Sequence, residues 1–248
     1  MKKFLKKAAS YLKLIKFSHT LFAFPFAMSS FIIQINFYSL DLNIFKRLFD
    51  LIFIIICLIS ARTAAMTFNR LADFKFDIVN PRTKDRKSLI DNITKKNVWI
   101  LLIFSSVVFI ISAGFIGILP LILSIPLLFL LFSYSYTKRF SYLSHYFLGS
   151  VIGLAPLGVE VALYQTISFF NILLYLGIIF WISGFDIIYS ILDFDFDKKM
   201  GLHSIPAKFG VDKAKIISMI NYCFSIIFCL LCVFFFLMLR RPPRSTLF

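Results

Sequence analysis

Seven apolar runs of about twenty residues set the strongest limit on what this chain can fold into. They read Phe17 to Phe37, Leu48 to Phe68, Val98 to Gly117, Ile118 to Tyr136, Tyr146 to Tyr164, Ile172 to Leu192 and Ile216 to Leu239. A helix rising about 1.5 Å per residue needs about 20 such residues to cross a hydrocarbon layer, and inside lipid it satisfies its own backbone hydrogen bonds. The runs therefore predict an all-α, multi-helix transmembrane bundle. Composition agrees: 60% of the 248 residues are hydrophobic, against about 45 to 50% in an ordinary soluble domain. The first run follows a lysine-rich start as a signal peptide would, but it is too long and lacks a small-residue cleavage pattern, so it stays attached.

Charge orients the bundle. The chain carries 27 Lys and Arg against 12 Asp and Glu, a net +15, and the bases fall into alternate loops. Lys2, Lys3, Lys6, Lys7, Lys13 and Lys16 precede the first run; Arg70, Lys75, Arg82, Lys84, Arg86, Lys87, Lys95 and Lys96 follow the second; Lys138 and Arg139 follow the fourth; Lys198, Lys199, Lys208, Lys213 and Lys215 follow the sixth. The loop after the first run holds only Lys46 and Arg47, and those after the third and fifth hold no Lys or Arg. By the positive-inside rule the amino terminus and the basic loops lie on the cytoplasmic side. Nucleic-acid partners are excluded, because their binders carry bases on a solvated face and not between lipid-length runs. Cys57, Cys223, Cys229 and Cys232 all sit within apolar stretches and predict no disulfide framework.

The chain thus divides into a basic cytoplasmic segment over 1–16, a transmembrane domain over 17–239 and a tail over 240–248. That tail carries Arg240, Arg241 and Arg244 on the side that parity places outside, and it reads as a foreign end on a frame that stops early.

Acidic residues are scarce, and they cluster in two places. Asn69, Asp73 and Asp77 recur at i, i+4 and i+8 after the second run, which stacks them along one helical face with a drift of about 40° per step. Asp186, Tyr189, Asp193 and Asp197 recur at i, i+3, i+7 and i+11 at the end of the sixth run, with Asp195 pointing away. Asp186 stands among apolar residues, so it should face a polar cavity or a cation. Two carboxylate ladders on one side of a membrane repel unless a cation lies between them. Hard oxygen donors of this kind suit Mg²⁺ bound together with substrate phosphates. Arg82, Arg86, Lys138, Arg139 and Lys199 lie in the adjoining loops and are candidates to clamp the anionic oxygens.

These two patterns, N-x-x-x-D-x-x-x-D and D-x-x-Y-x-x-x-D-x-x-x-D, resemble the signatures of the UbiA superfamily of intramembrane aromatic prenyltransferases. The stretches Lys16 to Met28, Ala61 to Arg86, Ser135 to Phe140 and Asp197 to Gly210 look like its 4-hydroxybenzoate polyprenyltransferase branch, and the agreement runs from about Lys16 to Gly210. The resemblance implies a nine-helix fold of which seven spans are visible, hence a chain shortened at its carboxy end. It implies Mg²⁺-dependent transfer of a polyprenyl group from polyprenyl diphosphate to the ring of a small aromatic acid, in ubiquinone or menaquinone synthesis at a bacterial cytoplasmic membrane. Carried over by position, Asn69, Asp73 and Asp77 would hold one metal, and Asp193 and Asp197 the other. Lys138, Arg139, Arg82, Arg86 and Lys199 would grip the diphosphate, while Asp186 and Tyr189, with Arg139, would make up the catalytic set that orients or deprotonates the acceptor. The isoprenoid tail would lie in a lipid-side tunnel. His203 stands where the family usually has Lys.

The acceptor stays open between 4-hydroxybenzoate, a naphthoate and a futalosine-type precursor. A transporter using Asp186 as an ion site is the alternative from another class, although it expects charges near mid-bilayer and broken helices. A CDP-alcohol phosphotransferase also uses helix-borne aspartates, but its D-G-x-x-A-R stretch is absent.

Overall fold

In lipid, apolar side chains gain nothing by facing one another, so helices associate through small and polar residues. The computed structural model of this chain, which describes residues 9–15, 24–37, 43–83, 90 and 93–239, follows that rule. Ser30, Thr67, Asn171, Ser183 and Asn221 are buried, whereas Phe104, Ile122, Phe129, Met219 and Leu230 are exposed. Buried serines return their hydroxyls to their own helix, as Ser60 does to Ile56 O at 2.6 Å and Ser105 to Leu101 O at 2.7 Å. Residues 1–8, His19, Arg86 and the tail 240–248 lie outside the described residues.

The elements in chain order are α1 (Phe24–Phe37), α2 (Ile44–Ala72), α3 (Phe74–Val79), α4 (Lys95–Ile116), α5 (Ile118–Thr137), α6 (Ser144–Tyr164) and α7 (Phe169–Ser190). A 3₁₀ turn (Ile191–Asp193), α8 (Phe194–Met200), α9 (Ile205–Phe209) and α10 (Val211–Leu239) complete them. Asn43 starts α2 as an N-cap whose side-chain oxygen accepts from Phe45 N–H at 3.1 Å, and Ser168 starts α7 by accepting from Asn171 N–H at 3.3 Å. Six helices are long and apolar enough to span a membrane: α2, α4, α5, α6, α10, and α7 with its continuation to Met200. The first of the seven expected spans is described only from Phe24, as a 14-residue helix, so the count of full-length spans among the described residues is six.

Helix α7 is the central element, packed between α6 and α10, while α2 packs against α4. The α6–α7 approach depends on Gly149, where a Cβ would stand 2.5 Å from Ile179 O and 2.7 Å from Ser183 Oγ.

Both motif helices break where the sequence pattern runs on. Helix α2 ends at Ala72; Asp73 has φ −93° and ψ 6°, and α3 restarts at Phe74. Likewise α7 gives way to the 3₁₀ turn before α8. The straight ladders expected at i+4 spacing are therefore each interrupted by a bend, and the bends turn Asp77 and Asp197 into buried positions.

Candidate active site

The two bent segments face each other across a polar chamber of about 180 Å³, lined by Asn69, Asp73, Asp77, Asn80, Arg82, Ser135, Lys138, Arg139, Asp193 and Asp197, together with Tyr134, Asp186 and Tyr189. An apolar cavity of about 660 Å³ adjoins it, running between α2, α5 and α6 past Leu58, Leu127, Leu131, Ile152 and Ala155. Asn69, Tyr134, Asp186 and Tyr189 line both spaces and form their common wall.

Four of the chamber's five carboxylates, all but Asp186, are held by an Arg or a Lys. Arg82 donates from Nε to Asp193 Oδ1 at 2.9 Å and from Nη2 to Asp193 Oδ2, and its Nη1 reaches the Tyr189 hydroxyl at 2.8 Å. Lys138 Nζ donates to Asp197 Oδ2 at 2.9 Å. Arg139 donates to Ala72 O at 2.7 Å and lies 3.4 Å from Asp73 Oδ1. Arg70 pairs with Asp77 at 3.4 Å inside the bundle. Asn69 donates its amide to Asp73 Oδ2 at 2.8 Å and sits 3.3 Å from Ser135 Oγ. Burial raises the Asp73 carboxyl above the usual carboxylate range, and Asp77 adds to it, while Arg139 and Arg70 oppose both.

The structure thus brings together Asn69, Asp73, Asp77, Arg82, Lys138, Arg139, Asp186, Tyr189, Asp193 and Asp197. Lys199, an expected diphosphate contact, is exposed on α8 and does not line the chamber, because the turn into α8 buries Asp197 and points the next two positions at solvent. Asp195 is exposed, as its register requires. His203 contributes only its backbone N–H, which donates to Lys138 O at 2.7 Å. The four cysteines are free.

Three contributors escaped the sequence reading. Asn80 donates to Asp193 Oδ1 at 3.0 Å and accepts Arg82 N–H at 2.9 Å, so it aims Arg82; the Asn-Pro pair was the available turn signal. Arg62, the one base inside the second apolar run, lines the apolar cavity, and its Nε is buried with no hydrogen-bond partner among the described residues. His145 had no sequence signal; it lies 2.6 Å from Asp186 Oδ2 across the α6–α7 contact.

The donors suit Mg²⁺ in kind, being hard oxygens on two facing walls. Among the described residues no three His, Cys, Asp or Glu side chains form a closed metal cage. That arrangement fits an ion that keeps several waters and takes substrate phosphate oxygens.

The model of the UbiA prenyltransferase family matches residues 21–244. The chain belongs to this family. Among UbiA relatives, the 4-hydroxybenzoate octaprenyltransferase of Blochmanniella floridana is 29% identical over 61% of this chain and 54% of its own length. The enzyme of the same name from Methylobacillus flagellatus is 31% identical over 60% of this chain and 50% of its own. The matched stretch thus spans little more than half the length of these relatives. The apo structure of a UbiA homologue from Aeropyrum pernix K1 superposes with a TM-score of 0.78 at 29% identity, covering 88% of this chain and 80% of that one. A UbiA homologue from Archaeoglobus fulgidus bound to GPP and Mg²⁺ shares the fold, with a TM-score of 0.72 at 18% identity over 91% and 78% of the two chains.

Proposed function

We propose that this UbiA family chain transfers a polyprenyl group from polyprenyl diphosphate to the ring of 4-hydroxybenzoate or a related hydroxyaromatic acid. The observation that carries the reading is the common wall: a chamber of carboxylates and bases shares Asn69, Tyr134, Asp186 and Tyr189 with an apolar cavity whose lining includes two bases, Arg62 and the Asp77-paired Arg70. The 4-hydroxybenzoate octaprenyltransferases among its relatives favour this acceptor class.

The diphosphate belongs in the polar chamber and the isoprenoid tail in the apolar cavity. Asn69, Asp73 and Asp77 on one wall, and Asp193 and Asp197 on the other, would hold Mg²⁺, which supplies charge neutralisation for the diphosphate as it leaves. Arg82, Lys138 and Arg139 stand among these carboxylates, and their guanidinium and ammonium donors are within reach of phosphate oxygens in the same chamber. The allylic C–O bond breaks with its electron pair going to the diphosphate, a ring carbon of the acceptor forms the new C–C bond, and that carbon then gives up its proton to the released diphosphate. Arg62 fits the acceptor carboxylate, because an Arg in an apolar cavity with an unused donor gains most from a bidentate anion. Asp186 and Tyr189 then face the acceptor hydroxyl from the common wall. On the charge pattern, the chamber opens to the cytoplasmic face.

The test is transfer of a radiolabelled polyprenyl diphosphate to 4-hydroxybenzoate by membranes containing the chain. Product is expected with Mg²⁺, lost on chelation, and lost in Asp73→Ala and Asp193→Ala variants that still insert. Product that persists under chelation overturns the metal role. Absence of product with every hydroxyaromatic acid tried, while diphosphate is still released, overturns the acceptor.

A further inference from the structure

We propose that His145 is a positioning residue for Asp186: it holds that carboxylate as the acceptor for the hydroxyl of the aromatic substrate. This rests on the reading given under Proposed function and extends it to a residue outside both sequence motifs.

The ring of His145 is fully buried, at 0% exposure. Its Nε2 lies 3.3 Å from the backbone nitrogen of Ile205, at the start of α9. A backbone N–H can only donate, so Nε2 presents its lone pair. The proton of the neutral ring is then on Nδ1, which donates to Asp186 Oδ2 at 2.6 Å. One end of the ring thus assigns the tautomer that the other end uses. No hydrogen bond reaches Asp186 Oδ1 among the described residues, which leaves that oxygen for a hydroxyl in the common wall.

The fold holds the pair at this distance. Gly149, one turn beyond His145, lets α6 approach α7 more closely than any Cβ would allow. Ser183, nearly one turn before Asp186, places its Oγ 3.1 Å from His145 O. Because the ring is neutral, it fixes the carboxylate rotamer without cancelling its charge. Asp186 Oδ1 is then aimed as the acceptor for a phenolic O–H, and drawing that proton raises electron density in the ring that attacks the allylic carbon.

Two substitutions separate the arms of the ring. His145→Asn places an amide N–H near Nδ1 and gives up the contact to Ile205. His145→Gln reaches the Nε2 position, where its oxygen accepts Ile205 N–H, and gives up the donor to Asp186. Both variants should elute as folded protein in detergent. The Gln variant is expected to lose roughly 10- to 100-fold in kcat, with KM for the prenyl diphosphate unchanged, and the Asn variant to recover most of that loss. Equal losses in both, or a Gln variant with wild-type kcat, overturn the proposal.

A second readout needs no turnover. In protein labelled with ¹⁵N at histidine, the signal lost in His145→Gln should report a neutral ring protonated on Nδ1, and it should move in Asp186→Asn. A ring protonated on Nε2 only, or a signal indifferent to Asp186→Asn, overturns the contact itself. If the chain transfers no prenyl group to any acceptor, the proposed function falls together with the hydroxyl-orienting role. The nitrogen shifts then show whether the His145–Asp186 pair fell with them.

Discussion

Arg82 grips both oxygens of Asp193 and also the hydroxyl of Tyr189, which joins the loop after α3 to the end of α7 across 111 residues of sequence. A planar fork spreads its donors over three nitrogens, one for each acceptor, whereas an ammonium presents its three N–H groups from a single point and cannot reproduce that span. Arg82→Lys is expected to lower kcat/KM for the prenyl diphosphate roughly 10- to 100-fold, with little change in KM for the acceptor. Steady-state kinetics with each substrate varied in turn would show it, and an unchanged kcat/KM would remove Arg82 from the chamber's working groups.

Arg62 is tested through the acceptor's charge. Replacing it with Leu should raise KM for 4-hydroxybenzoate by roughly tenfold or more and leave KM for the prenyl diphosphate alone. An uncharged phenol offered as acceptor should not distinguish the variant from the parent. Equal damage with both acceptors would place Arg62 in a purely structural role.

Gly149 makes a steric prediction. A Cβ at this position meets Ile179 O at 2.5 Å, and backbone cannot yield as a flexible side chain would, whereas a Cβ at Gly158 meets nothing within 4 Å. Gly149→Ala should therefore destabilise by about 1 to 3 kcal/mol and Gly158→Ala should not, as read from thermal inactivation in detergent. The damaged variant should also lose activity beyond its loss of folded protein, because the same contact sets the His145–Asp186 distance.

At the far end of α6 a second buried polar group acts as a fastener. Glu160 is 0% exposed, and its Oε2 accepts Ser168 N–H at 2.9 Å and the Asn171 amide at 2.7 Å, tying α6 to the start of α7. Glu160→Leu leaves the buried Asn171 amide without an acceptor, at about 1 to 3 kcal/mol, and strips the half-buried Ser168 N–H of its partner, while Glu160→Gln keeps a side-chain oxygen in place. The Leu variant should lose thermal resistance with unaltered KM values, and the Gln variant should stay near the parent. A Leu variant as resistant as the parent would show that the network contributes nothing.

The class of fold and the residues of the two walls are legible in the amino-acid sequence alone. Lipid-length apolar runs force helices through their backbone hydrogen bonds, and a carboxylate on such a chain is conspicuous because its cost there demands a partner. Asn69, Asp73, Asp186 and Asp193 were legible for that reason. The tertiary structure decided who the partners are. Helix breaks after Ala72 and Ser190 turn Asp77 inward to Arg70 and Asp197 to Lys138, a rearrangement that continuous helical spacing does not contain. Arg82 finds Asp193, and His145 finds Asp186, only because α6, α7 and the loop after α3 converge. Spacing within one helix is local and periodic, so sequence reveals it; contact between helices depends on where small residues such as Gly149 allow two backbones to meet.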